Sequence, residues 1–164
     1  MTTVLDTKTF RQAMGMFATG VTVMATEADG ELHAMTANAF SSLSLDPPLI
    51  LICLKRGAKM EHLINQGSYF SVSFLSEQQE LLSTYFAGGS KDGTVPDFQF
   101  QPWSNTVRLQ GSICSVACQV HEIVEGGDHV VVFGRVMDID MDSQGTPLLF
   151  YKGKYQTLAR AEQV

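Results

Sequence analysis

The chain has 164 residues, of which 45% are apolar and 17% are charged, and its formal net charge at pH 7 is −6. This apolar content can fill a folded core, so an intrinsically disordered chain is excluded. The acidic balance also disfavours binding to nucleic acid or to an anionic membrane surface, because both need a basic face. We expect one domain that spans residues 1–164.

The sequence carries no signal for a membrane or secreted protein. Apolar runs such as residues 49–54 are too short to cross a bilayer, and the N-terminus lacks the features of a signal peptide. We therefore expect a cytoplasmic protein. Cys53, Cys114 and Cys118 show no CxxC pair and no zinc-type spacing, and they are predicted to be buried thiols outside disulfides.

The first predicted element is a helix near the N-terminus. One helical face is marked by apolar residues at positions i, i+3, i+4 and i+7, which are Phe10, Ala13, Met14 and Phe17. Asp6 or Thr7 would cap this helix, and Gly20 would end it.

The middle of the chain predicts short strands and helices. Strands are predicted at residues 21–26, 31–36, 49–54 and 69–74. Asp29-Gly30 is typical of a hairpin turn between the first two strands. One short helix is predicted over residues 58–66, and the capping-box pattern of residues 76–79 predicts another that ends at Gly88-Gly89.

The last part of the chain predicts a long loop and then β-structure. Residues 88–106 show no clear period and are expected to form a loop, of the kind often used for binding. Alternating residues then predict two strands around residues 114–120 and 137–141, with a turn at residues 125–128. A final strand pair is predicted about Gly153.

Together these elements indicate a mainly β fold with peripheral helices. About seven strands and three helices are expected, and hairpins outnumber βαβ units, which favours an antiparallel barrel with helices outside it. The chain contains no GxGxxG or GxxxxGK(S/T) motif, which argues against Rossmann and P-loop folds.

Residues 36–48 form a polar stretch between two predicted strands and end in Pro47-Pro48. Its hydroxyl and amide side chains, such as Thr36 and Asn38, could hold a phosphate or the edge of a heterocycle. The alternative is a polar connector rich in turn-forming residues.

Three cations, Lys55, Arg56 and Lys59, follow the apolar strand at the predicted start of a helix. Such a cluster could bind an anion, or it could be a solvated surface patch. His129 lies beside a Gly-Gly-Asp turn, where functional side chains are often displayed. The other histidines show no pattern that indicates chemistry.

A series of short segments occurs in a recognisable order between Phe10 and Leu158. They are FR (10–11), FATGVTV (17–23), MTANAF (35–40), SLS (42–44), PP (47–48), FAG (86–88), GDH (127–129), GRV (134–136), PLL (147–149) and GKY (153–155). This ordered set resembles the short-chain flavin reductase family, the small reductase components of two-component aromatic monooxygenases. It is most similar to the reductases that serve phenol and 4-hydroxyphenylacetate hydroxylases.

The resemblance implies an FMN-binding split β-barrel that binds FMN or FAD, with NADH or NADPH as the hydride donor. It also implies a homodimer with the flavin near the subunit interface, and reduced flavin that diffuses to a separate oxygenase. By position, the flavin ring and ribityl chain would be lined by Thr36, Ala37, Asn38, Ala39, Phe40, Ser42 and Ser44. The phosphate side would be held by residues 53–59, which include Cys53, Leu54, Lys55 and Lys59. Phe86 would border the ring pocket, while His129 and Tyr155 would seat the nicotinamide nucleotide.

The implied reaction needs two stacked flat rings and no side-chain nucleophile, so no catalytic side chain is expected. The alternative is a non-enzymatic flavin carrier on the same barrel, which would bind flavin without stimulating NADH oxidation. The Gly127-Asp128-His129 turn favours the enzyme, because a carrier has no need of a nicotinamide site. An oxidase of the pyridoxamine-phosphate type is less consistent, since its basic phosphate clusters are not evident.

Overall fold

A computed structural model describes residues 5–159 of the chain. The helices are α1 (Thr7–Met14), α2 (Lys59–Leu63) and α3 (Glu80–Phe86), with a 3-10 turn at Glu77–Gln79 directly before α3. The twelve strands are β1 (Thr19–Gly20), β2 (Thr22–Ala28), β3 (Glu31–Ala37), β4 (Phe40–Leu45), β5 (Pro48–Lys55), β6 (Tyr69–Phe74), β7 (Phe100–Trp103), β8 (Thr106–Leu109), β9 (Cys114–Gly126), β10 (His129–Met141), β11 (Leu149–Tyr151) and β12 (Lys154–Gln156). None of the helices within residues 5–159 has the length and apolar character that a membrane crossing requires.

The largest sheet has seven antiparallel strands in the order β3-β2-β6-β9-β10-β5-β4. Only Asn38 and Ala39 separate β3, at one edge of this sheet, from β4 at the other edge. Three Cα steps of about 3.8 Å bring these strand ends within about 11 Å of each other. The sheet must therefore curl into an open barrel whose edges approach at the Asn38-Ala39 corner.

The barrel interior is filled by alternate residues of its strands. Strand β5 shows the pattern, because Ile50, Ile52 and Leu54 are buried while the residues between them are only half-buried. Phe70 and Val132, from β6 and β10, are fully buried in the same cluster. This period of two is what a strand with one face toward a core dictates.

A second apolar layer covers one side of the barrel. The buried members of this layer are Val21, Val23, Leu75, Leu82, Leu109 and Leu148. They come from β2, the end of β6, α3, the β7–β8 hairpin and the segments next to β1 and β11. This layer fixes α3 against the barrel, and α3 forms a wall of the candidate site described below.

Several local predictions are confirmed. Asp29 and Gly30 both have positive φ angles, of 55° and 77°, as a two-residue hairpin turn requires. The capping box is present, with the side chain of Gln79 bonded to the backbone N–H of Ser76. Strand β6 and the final β11–β12 pair also lie where the sequence predicts them.

Two segments for which no strand was predicted each contain one. Residues 40–45 of the polar stretch form edge strand β4, which pairs only with β5 in the described part of the chain. Residues 100–103 of the expected loop form β7, which pairs with β8 across Ser104 and Asn105, both with positive φ. The expected count of about seven strands is also too low, because the described residues form twelve. Strands β1, β7 and β8 have two to four residues each, too few to show a period in the sequence.

Helix α1 begins as predicted but ends early. Asp6 is the cap, and its carboxylate accepts the backbone N–H of Thr9. The helix ends at Met14, so Phe17 lies beyond it. No residue of α1 is buried in the chain, and the predicted apolar face is exposed.

Candidate functional site

A cleft of about 610 Å³ lies between β3, the start of α2 and the C-terminal end of α3. Thr36 lines it from β3, Lys59 from α2 and Phe86 from α3. Its volume falls within the range of about 300–1,000 Å³ that is usual for small-molecule sites. The fold thus brings three of the predicted site residues to one cavity.

Four aromatic rings form the apolar wall of the cleft, and they are Tyr85, Phe86, Phe98 and Phe100. The ring centroid of Phe86 lies 5.0 Å from that of Phe98 and 5.9 Å from that of Phe100, in edge-to-face arrangements. Phe98 and Phe100 are not predicted from the sequence, because the segment that holds them shows no period. Their aromatic character next to the predicted Phe86 was the only available signal.

Thr36 is tied to α3 rather than free in the cleft. Its hydroxyl donates to the backbone carbonyl of Ser83 at 2.6 Å. The hydroxyl of Tyr155 lies 2.8 Å from the hydroxyl of the same serine. Tyr155 does not line the cleft and instead packs beside Phe150 in the second apolar layer, so it lies behind α3.

The Asn38-Ala39 corner opens onto a second cavity. This groove of about 310 Å³ is lined by Asn38 and Phe40, together with Thr19 and Pro147. Both corner residues are exposed, and the carbonyl of Ala39 accepts the backbone N–H of Cys53 at 3.1 Å. The predicted segment of residues 36–40 therefore contributes to two cavities, with Thr36 in the cleft and with Asn38 and Phe40 in the groove.

The cationic residues surround the turn between β5 and α2, and all of them are exposed. Arg56 forms an ion pair with Glu125. Within residues 5–159, Lys55 and Lys59 form no ion pair, so their charges are available to an anion near the cleft. The helix itself adds little to such a site, because α2 has only five residues.

His129 lies next to these cations. It stands opposite Lys55 in the β5–β10 register, and its Nδ1 is 2.7 Å from Oδ1 of Asp128. This hydrogen bond is the main reason that the pKa of Asp128 is lowered from its ordinary value. The backbone N–H of Arg56 donates to the carbonyl of Asp128 at 3.0 Å, so the histidine turn and the cationic turn are held together.

The remaining predicted residues occupy less direct positions. The side chains of Ala37 and Leu54 are buried in the barrel core, so only their backbone could face a ligand. Ser42 and Ser44 lie on edge strand β4, the first exposed and the second half-buried.

The cysteines are free thiols, as expected, but only Cys118 is fully buried, whereas Cys53 and Cys114 are half-buried. Burial raises the pKa of Cys118 to about 12, and it also raises that of Cys53. Neither group is therefore poised as a thiolate nucleophile at neutral pH.

Comparison with known proteins gives one consistent result. The sequence profile of the flavin reductase like domain matches residues 14–159. The reductase component of 4-hydroxyphenylacetate 3-monooxygenase from Thermus thermophilus is 36% identical, over 91% of this chain and 95% of its own length. An NADH-dependent flavin reductase from a Rhodococcus species is 40% identical, over 90% of this chain and 84% of its own length.

A solved structure shows the same fold. The Streptomyces globisporus NADH:FAD oxidoreductase SgcE6, in complex with NAD and FAD fragments, superposes with a TM-score of 0.84 at 33% identity. The match covers 97% of this chain and 98% of that chain. The expected split-barrel fold, mainly β with peripheral helices, is confirmed.

Proposed function

Because the chain belongs to the flavin reductase like domain family, we propose that it uses NADH to reduce FAD and supplies the reduced flavin to a separate monooxygenase. The observation that carries this conclusion is the family match over residues 14–159, joined to relatives named as NADH-dependent reductases along most of the chain. The relatives reported above are enzymes, so they give no support to a non-enzymatic flavin carrier.

The cleft beside α3 fits a flavin. A flavin has a flat apolar ring system, a polar ring edge and a phosphate-bearing chain. The cleft has an aromatic wall and one exposed lysine, Lys59, in its lining, and the exposed Lys55 lies four residues earlier in the chain. Phe86 and its aromatic neighbours would border the ring. Asn38, which lines the adjoining groove, would reach the polar edge of the ring from the corner next to the cleft. Lys55 and Lys59 can approach the phosphate side.

The chain's residues would act by binding and orientation. When bound, the flavin supplies a ring that accepts a hydride from the nicotinamide. Residues Thr36 to Phe40, with Ser42 and Ser44, would fix the ring and ribityl chain, while residues 53–59 would fix the phosphate. His129 would position the nicotinamide nucleotide, held in orientation by Asp128. Such alignment of reacting atoms to about 3–3.5 Å lowers the barrier without any nucleophilic side chain.

We also propose that the chain forms a homodimer through the outer face of β5 and β10. This outer face consists of Leu49, Leu51, Cys53, Val131 and Phe133, which are half-buried and join neither apolar cluster. The register places Leu51 opposite Phe133 and Cys53 opposite Val131, so they form one continuous apolar patch. The outer wall of a barrel is normally polar, and a patch of this kind is typical of an interface. The presence of Cys53 in it would bring the flavin close to the partner subunit.

The domain organisation and the location of the protein are also predicted. Residues 1–164 would form one domain, because the family match spans residues 14–159 and one sheet joins β2 near the start to β10 near the end. The cytoplasmic location stays a prediction from the sequence.

The direct test is steady-state oxidation of NADH by the purified protein, with FAD, with FMN and with no added flavin. We expect turnover that depends on added flavin, with NADH a better donor than NADPH. Flavin binding without any flavin-dependent NADH oxidation would instead identify a carrier and refute the proposed activity.

A further inference from the structure

Ser83 connects two predicted site residues that lie on different elements. This serine of α3 is fully buried. Its hydroxyl lies 2.8 Å from the hydroxyl of Tyr155 on β12, and its backbone carbonyl accepts the hydroxyl of Thr36 on β3 at 2.6 Å. The same carbonyl accepts the backbone N–H of Ala87 at 3.1 Å. One residue therefore bonds the strand wall of the cleft, the end of the helix wall and the tyrosine behind it.

The position of α3 depends on such contacts. The helix has seven residues, too few for a stable helix in isolation. Its C-terminal end carries Tyr85 and Phe86, and with Ala87 and Gly88 these residues form one wall of the cleft. Leu82 packs in the second apolar layer and holds the helix against the barrel. Apolar packing has no preferred direction, so it restricts sliding and rotation of the helix less than it restricts separation from the barrel. The directional bonds of Ser83 restrict those movements.

A hydrogen bond to this serine links Tyr155 to the helix wall of the cleft. Its ring packs against Phe150, with centroids 5.3 Å apart, and it does not line the cleft. Its hydroxyl points to Ser83 instead of to the cavity. Removal of the Tyr155 hydroxyl alone would therefore act on the cleft through the position of α3.

We propose that Ser83 is a positioning residue, which sets the distance between the α3 wall and Thr36, and through which Tyr155 acts on flavin binding. This inference rests on the proposed function, because it assumes that the cleft beside α3 holds the flavin. It also differs from the prediction that Tyr155 seats the nicotinamide directly. The two roles make opposite predictions for the binding of FAD and of NADH.

The test breaks the same hydrogen bond from both ends. Ser83→Ala, Tyr155→Phe and the double variant are titrated with FAD in the absence of NADH, with flavin fluorescence as the signal. We expect each single variant to weaken FAD binding about three- to tenfold, because the free energy of one hydrogen bond no longer holds α3 in the position that binds FAD. The double variant should be no weaker than either single variant, while the KM for NADH stays within about twofold of wild type.

Ser71→Ala is the matched control, because Ser71 is also a fully buried serine. Its hydroxyl has no hydrogen-bond partner among residues 5–159. The control should bind FAD as the wild type does. An equal loss of affinity in the control would show a general effect of removing a buried hydroxyl and would overturn the inference. If Ser83→Ala fails to fold, Tyr155→Phe still removes the same bond from the more exposed side.

Other results would also refute the role of Ser83. Unchanged FAD binding in both single variants, or single effects that multiply in the double variant, would exclude a shared bond that positions α3. A raised KM for NADH with normal FAD binding would place Tyr155 directly on the nicotinamide. The wild-type protein is assayed in parallel. If it does not oxidise NADH with FAD, the proposed function is refuted, whereas the effect of Ser83 on FAD binding is still measured.

Discussion

Asn38 lies in the two-residue link between opposite edges of the barrel sheet, and its side chain is exposed to the adjoining groove. We predict that Asn38→Ala weakens FAD binding about three- to tenfold, since one hydrogen bond to the ring edge is lost. Because the side chain is exposed, the free energy of unfolding should change little. A fluorescence titration with FAD and a urea unfolding curve measure the two effects.

Asn65→Ala is a suitable control for Asn38, because Asn65 is exposed in the turn after α2 and lines neither the cleft nor the groove. It should leave FAD binding unchanged. An unaltered dissociation constant for Asn38→Ala would remove this residue from the flavin site.

His129 is the second residue whose role can be isolated. We predict that His129→Ala raises the KM for NADH about three- to tenfold and changes FAD binding less than twofold, because the ring is proposed to contact the nicotinamide nucleotide. Asp128→Asn should show a smaller effect in the same direction, since the hydrogen bond to the ring is weakened but not removed. Initial rates at varied NADH and saturating FAD measure both.

The control for this pair is His121→Ala, at an exposed position on β9. Loss of FAD affinity in His129→Ala with an unchanged KM for NADH would contradict the assignment.

The pH at which these variants are assayed also affects the contact between Asp128 and His129. The pKa of Asp128 is lowered by its bond to His129, so the contact is fully formed above the ordinary aspartate pKa and is lost as pH falls through the lowered value. Assays at neutral pH therefore compare variants with Asp128 ionised.

Among the elements, β10 shows how tightly the barrel is packed. A Cβ atom added at Gly134 would lie 2.6 Å from Cζ of Phe70 and 3.0 Å from Cβ of Cys118. We predict that Gly134→Ala lowers the free energy of unfolding by about 1–3 kcal/mol, the usual cost of overpacking. Urea unfolding followed by circular dichroism measures this loss.

Gly20→Ala is the matched control, because a Cβ atom there meets nothing within 4 Å and its φ angle is not positive. Phe70→Leu should partly relieve the clash. The double variant with Gly134→Ala should therefore lose less free energy of unfolding than the two single variants lose together. Gly134→Ala as stable as the glycine control would show that the close approach does not occur.

Elements with strong local signals were predictable, and those without were not. Asp29-Gly30 and the capping box of Ser76 and Gln79 are encoded by residues only a few positions apart. Strand β4 lacks such a signal, because the adjacent Ser41 and Ser42 interrupt its alternation of polar and apolar residues and it lies at an edge of the sheet. Its strand state is imposed by pairing with β5, which single-residue propensities do not describe.

At the scale of the whole molecule, the candidate site depends on sheet curvature. The segments that carry Thr36, Lys59 and Phe86 were singled out from the sequence, the last by resemblance, but their meeting in one cleft requires β3, α2 and α3 to be adjacent. Contacts such as that between Thr36 and Ser83 join residues 47 positions apart, and no local pattern specifies them. The division of residues 36–40 between a cleft and a groove follows likewise from the corner where the sheet edges approach.

The outer face of β5 and β10 gives the last prediction, which concerns assembly. A charge placed within this apolar patch cannot be desolvated without cost, so Leu51→Glu should convert the proposed dimer into a monomer. Leu81→Glu is the control, because Leu81 is exposed on α3, away from the patch, and that variant should remain dimeric. Size-exclusion chromatography with light scattering distinguishes the two states. The monomer should also bind FAD more weakly, since Cys53 places the patch beside the proposed flavin site. A monomeric wild type, or a Leu51→Glu variant that stays dimeric, would show that this face is not the interface.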